Sequence, residues 1–253
     1  MKHTKTLKQE ASIQMIVVRP AGTIHQEHGV IENGTFFGRW HFSFGDYHDR
    51  DWMRFGNLRV FNDDTLSPGA VWPLHPHREI EVVTYCADGE FRHADEYGKG
   101  GILKKGDVQH TTVGSGMWHS EINHRRDVPM RFIQMWFVPS RPDLGPSVEQ
   151  KSVDIKDRTN RLLVLVSNKN PAGLKLFSDA EVYSCFLEQG RSVTYALSEN
   201  HGGYLYVLEG GPIRVNDQSV LRLSAAAITE EATLTLTADQ DSELLFVDTK
   251  LQT

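Results

Sequence analysis

Turn-forming residues interrupt this chain so often that no long helix can be drawn through it. Runs rich in Val, Ile, Tyr, Phe and Thr occupy residues 82–91, 130–138, 161–166, 204–215 and 243–248, separated or folded over by turns such as Asp88-Gly89 and Gly210-Gly211. Many short strands at close spacing predict an all-β protein built as sandwiches or barrels, in which closure protects the strand edges. Residues 138–147 contain three prolines and a glycine, which neither a strand nor a helix can absorb. This stretch divides the 253 residues into units 1–138 and 139–253. Both units carry the same local phrase of strand, acidic or glycine turn and next strand, at residues 84–90 and 205–211. A duplicated barrel accounts for the length, the linker and the strand spacing together. Two unrelated β domains are the alternative.

Composition narrows the functional classes. There are 27 Lys and Arg against 33 Asp and Glu, so the formal net charge is -6. That balance gives no reason to expect direct nucleic-acid or anionic-membrane binding. Cys86 and Cys185 are the two cysteines, too few for a disulfide framework or a cysteine-rich zinc site. The opening Met1-Lys2-His3-Thr4-Lys5 is not followed by an apolar run of signal-peptide length, because Ile16-Val17-Val18 ends at Arg19-Pro20. No window approaches the roughly 20 apolar residues of a membrane helix. The expected location is therefore the cytoplasm.

Histidine is unevenly placed: 11 of the 12 lie at or before His124, and His201 alone follows. Two runs stand out, His75-Pro76-His77 and His119-Ser120-Glu121. Residues two apart on an extended strand share a face, so each run projects two donors in one direction. If the two strands are neighbours, three imidazoles and a carboxylate converge, a set suited to a divalent first-row metal. Such a set leaves coordination positions for substrate or dioxygen, which favours catalysis over a structural clip. A turn at residues 98–101, a strand start at Gly106-Asp107 and a tight bend at Gly114-Ser115-Gly116 fit a small barrel that delivers both pairs inward.

With Gly106-Asp107-Val108-Gln109, the run from Gly114 through Trp118 to Glu121, His75-Pro76-His77-Arg78 and the upstream Phe61-Asn62-Asp63-Asp64, the first half resembles the pirin family of the cupin superfamily. It is most similar to the bacterial pirin-like quercetin dioxygenases, and the likeness continues more weakly through the second half. The resemblance implies a bicupin, two double-stranded β-helix barrels packed together, with the metal held by His75, His77, His119 and Glu121. By family precedent the metal is Fe(II), with Mn, Co, Ni, Cu or Zn also able to occupy such ligands. Two positions depart from the family pattern: Glu79-Ile80 stands where many pirins have Gly-Phe, and Trp118 accompanies the final glycine turn. Cupins at large draw their carboxylate from the position of Glu81, and strand parity counted straight through the sequence puts Glu81 on the His77 face. Glu81 is thus expected to orient a ligand or to replace Glu121.

The resemblance further implies an enzyme that opens the ring of a flavonol such as quercetin with dioxygen and releases carbon monoxide, Glu121 acting as the base. Phe42, Phe44, Phe55, Trp72, Met117 and Trp136 are available to build an aromatic slot; Trp72 and Met117 stand within three residues of a ligand and are the preferred pocket residues. The alternative is an iron-containing regulator that binds a protein partner according to its redox state. The second barrel lacks a ligand pair, since residues 223–229 read Leu-Ser-Ala-Ala-Ala-Ile-Thr, and His201 is expected on a surface or turn.

Overall fold

The structure, a computed structural model, describes residues 15–96 and 100–251. The expected turn at 98–101 lies partly outside the described residues, as does the opening Met1-Lys2-His3-Thr4-Lys5. The regular elements of the described chain are strands except for a single 3-10 turn at Ala21–Thr23 and one short α-helix at Ile155–Arg158, capped by Asp154, whose side chain accepts from the Lys156 N–H. No helix among these residues is long and apolar enough to cross a membrane.

Each half is a seven-stranded sheet closed by a four-stranded one. In the first half the large sheet has at its centre Val108–Thr112, Glu81–Asp88, Met130–Phe137 and Leu58–Leu66 in that order. The small sheet runs Val71–His77, Met117–Asn123, Glu90–Asp95, Ile102–Lys104. The second half repeats the plan, with His201–Glu209 in the place of Glu81–Asp88. The turns that end these two strands match in backbone: Gly89 and Gly210 both have φ +73, where a Cβ at Gly210 would stand 2.0 Å from the Asp241 carbonyl oxygen. Two strands cross the linear division at 138/139. Ile16–Arg19 pairs with Ala225–Ile228 in the second half, and Ser147–Lys151 pairs with Val108–Thr112 in the first.

The large sheets bury their outer faces against one another, and this fixes which way every strand near the site points. Val83, Tyr85, Ile133, Met135 and Phe137 share one core cluster with Leu165, Val182, Tyr204, Tyr206 and Leu245 of the second half. The alternate residues turn into the first barrel: Val82 packs with Met117, and Cys86 and Phe132 pack with Phe91 and Leu103. Burying each such large apolar side chain contributes roughly 1.5–3 kcal/mol, so the interface between halves is a core rather than a loose contact. Both cysteines are buried free thiols.

Candidate metal centre

Val71–His77 and Met117–Asn123 are antiparallel neighbours with His75 opposite His119 and His77 opposite Met117. Alternation along the second strand sets Met117, His119, Glu121 and Asn123 on its buried side and leaves Trp118 exposed. The register slips between His119 and Glu121, so Glu121 falls opposite Trp72. One ligand atom from each of His75, His77 and His119 lies within 4.8 Å of the others. Their ring centroids are 4.5 to 4.9 Å apart and their planes are tilted by 53° to 89°, so the rings converge without stacking.

The surroundings prepare lone pairs. The Pro73 carbonyl, 2.8 Å from His75 Nδ1, can only accept, so Nδ1 carries the hydrogen and Nε2 keeps its lone pair. His119 Nδ1 is 2.9 Å from His93 Nε2; with the hydrogen on His119 Nδ1, its Nε2 is likewise left as a donor to a metal. The Nε2 atoms of His77 and His119 are buried with no hydrogen-bond partner among the described residues. Burial pushes the His77 imidazolium down to about 4 and that of His119 to about 2, with the neighbouring imidazoles adding to both; His75 is also lowered by burial. All three rings are therefore neutral at physiological pH, the protonation state a metal requires.

Glu121 stands outside the histidine triad but lines the same cavity, of about 70 Å³, as His75 and His77. Its Oε1 accepts from Gln134 Nε2, and the Gln134 carbonyl oxygen accepts in turn from Trp136 Nε1 at 2.8 Å. Because an indole N–H can only donate, this chain fixes which end of the Gln134 amide faces Glu121. Burial raises the Glu121 carboxyl to about 7, against the lowering effect of Gln134. Trp40, Phe44, Trp72 and Trp136 supply aromatic wall, and Asn62 and Asp64 supply polar wall. Burial and the nearby Asp63 and Glu121 carboxylates hold the Asp64 carboxyl well above its usual range, against the Trp40 hydrogen bond.

Of the preferred pocket residues, Trp72 lines the cavity and packs edge-on against Phe36 at 4.6 Å. Met117 does not line it; it packs with Val82 and Val113 in the barrel core. Phe44 and Trp136 are in the wall, whereas Phe42 and Phe55 belong to the core between the halves. Glu81 points away from the histidines. Its neighbours Val83 and Tyr85, on the same side of the strand, face the second half, and its carboxylate accepts from Phe177 N at 2.8 Å, Ser178 N at 2.7 Å and His110 Nε2 at 3.1 Å. The parity count fails because Arg78, Glu79 and Ile80 are not strand: Glu79 has φ +54, a left-handed bend that starts the next strand afresh. His201 is not a surface residue either; its side chain is 8% exposed, with Nδ1 2.6 Å from Asp248 and Nε2 3.6 Å from Asp179. His93, Gln134 and Asp64 were not singled out by sequence, although Asn62 and Asp64 lie inside the motif quoted above.

Three neutral imidazoles, two of them with a buried Nε2 that has no partner among the described residues, beside a buried carboxylate form a donor set that fits a divalent transition metal. Comparison with known proteins agrees. Residues 22–137 match the pirin family model, and residues 163–249 match that of the quercetinase C-terminal cupin domain. The chain belongs to the pirin family. A pirin-like protein of Caulobacter vibrioides is 36% identical to it over 222 residues, covering 87% of this chain and 95% of that protein. The quercetin 2,3-dioxygenase of Escherichia coli strain K12 is 30% identical over 236 residues, covering 92% and 98%. A bacterial pirin of Escherichia coli, crystallised in complex with nickel(II), superposes with a TM-score of 0.86 at 26% identity over 94% of this chain and 100% of that one. The pirin bicupin fold is thus shared over most of the chain, and the histidine triad is a group that could hold a metal ion.

Proposed function

We propose that this pirin is a metal-dependent dioxygenase that opens the ring of a flavonol such as quercetin and releases carbon monoxide, with His75, His77, His119 and Glu121 holding the metal. The single observation that carries the reading is the convergence of three histidines, two of which, His75 and His77, line a cavity walled by Trp40, Phe44, Trp72 and Trp136 together with the Glu121 carboxylate. Fe(II) is the proposed ion. When bound, a divalent metal supplies Lewis acidity that makes a coordinating hydroxyl more acidic.

The protein's own groups do the rest of the preparation. Glu121 is the base for the flavonol 3-hydroxyl: Gln134 occupies Oε1, leaving Oε2 to receive the proton. His93 and Pro73 hold His119 and His75 in the orientation that presents Nε2. The indole and phenyl walls match a flat aromatic ligand and keep water from its electron-rich ring. A cavity of about 70 Å³ takes the reacting edge of the flavonol, the remainder lying toward the mouth. The test is an aerobic quercetin assay with carbon monoxide detection on protein reconstituted with each candidate ion. Turnover that is lost in His119→Ala and Glu121→Gln supports the reading; equal turnover in variants and parent refutes it.

One observation favours the second reading, a redox-responsive regulator. Leu74 and Trp118 are 54% and 45% exposed and alternate with His75 and His119, so the reverse of the metal strands offers an apolar face to a protein partner. Protein that consumes neither oxygen nor quercetin but binds a partner in an oxidation-dependent way would establish that function instead.

A further inference from the structure

Asn62 sits in the strand Leu58–Leu66, directly opposite Gln134 on one side and Trp40 on the other. It is 1% exposed and lines the cavity. The neighbouring Gln134 amide is engaged at both ends, by Glu121 and Trp136. Asn62 Oδ1, in contrast, is buried with no hydrogen-bond partner among the described residues. A buried acceptor left unpaired costs free energy that a well-packed apolar residue of the same size would not incur. Such a group in a cavity wall is accounted for by a ligand that supplies the missing donor.

The ligand's shape follows from the other walls. Phe44 meets Trp40 edge-on at 5.0 Å and Trp136 edge-on at 5.3 Å, leaving a slot bounded by ring faces and edges. We propose that Asn62 is a specificity-determining residue, receiving at its carboxamide a second hydroxyl of a planar aromatic substrate whose first hydroxyl faces the histidines. This rests on the flavonol reading and sharpens it to polyhydroxylated flavonols. A site built around a hydrogen bond rejects an analogue lacking the hydroxyl, because the carboxamide then stays desolvated and unpaired.

Two measurements on Asn62→Leu test this. Binding is followed in metal-loaded protein by quenching of the cavity tryptophans with quercetin and with 3-hydroxyflavone, which has only the hydroxyl that faces the metal. The variant should bind quercetin about tenfold more weakly and 3-hydroxyflavone unchanged. Thermal melting of the metal-free protein should show the variant more stable than the parent, which a residue with a merely structural role would not do. Equal losses for both compounds, no loss for either, or a lowered melting temperature would overturn the inference while leaving the flavonol reading standing. If neither compound binds the parent, the flavonol reading falls and the inference with it.

Discussion

Replacing Glu121 by Gln should make the metal-free protein more stable at alkaline pH. The carboxyl is buried, and its displacement from the ordinary 4.5 to about 7 corresponds to roughly 3 kcal/mol. Below about pH 7 the raised value keeps the folded state's carboxyl in its neutral form. The penalty is absent below about pH 4.5, grows as the pH rises and is complete above about pH 7. Glutamine keeps the acceptor that Gln134 reaches and cannot ionise, so it escapes the penalty. For a chain of this size each kcal/mol moves the melting temperature by about 2–4 °C, so between about pH 5 and about pH 8 the variant should gain on the parent by about 5–10 °C. Melting curves in the presence of a chelator provide the assay. Saturating metal should remove the difference, because a cation beside the carboxylate restores what burial took away. A difference that does not change with pH would refute the claim that Glu121 is desolvated in the cavity wall.

Three further outcomes follow from the same geometry. His93→Phe removes the acceptor that sets the His119 ring and should weaken metal binding about 10–100-fold by calorimetric titration; unchanged affinity would deny His93 that role. Glu81→Gln should leave metal affinity unaltered while lowering the melting temperature, since its carboxylate joins Phe177, Ser178 and His110 rather than the ion; loss of metal with stability intact would reverse the assignment. As pH falls from about 7 to about 5, metal affinity in the parent should drop about tenfold per pH unit, the slope of one proton taken up by Glu121. His77 and His119, lowered to about 4 and about 2, add nothing there, so a steeper slope would show that they titrate normally.

What the sequence made legible was local. Alternation put His75 with His77 and His119 with Glu121, and the turns at Gly89 and Gly210 marked two copies of one barrel. What it hid depends on pairing between distant segments. His93 reaches His119 because Glu90–Asp95 lies beside Met117–Asn123, and Gln134 reaches Glu121 from the facing sheet. No spacing rule in a single chain announces either contact. The same holds for Ile16–Arg19, which joins a sheet whose other members begin beyond residue 160. Glu81 escapes a linear count for a different reason: parity does not carry through Glu79, whose left-handed backbone resets it. The glycine that many pirins have at that position was the available signal, since glycine adopts φ > 0 without strain.

The central claim is that one ion is held between the two histidine strands, and anomalous diffraction from metal-loaded crystals tests it most directly. A single peak within bonding distance of His75, His77, His119 and Glu121, absent from crystals of the His119→Ala variant, is the predicted result. Strong anomalous density elsewhere in the molecule, with none among those four side chains, would contradict it.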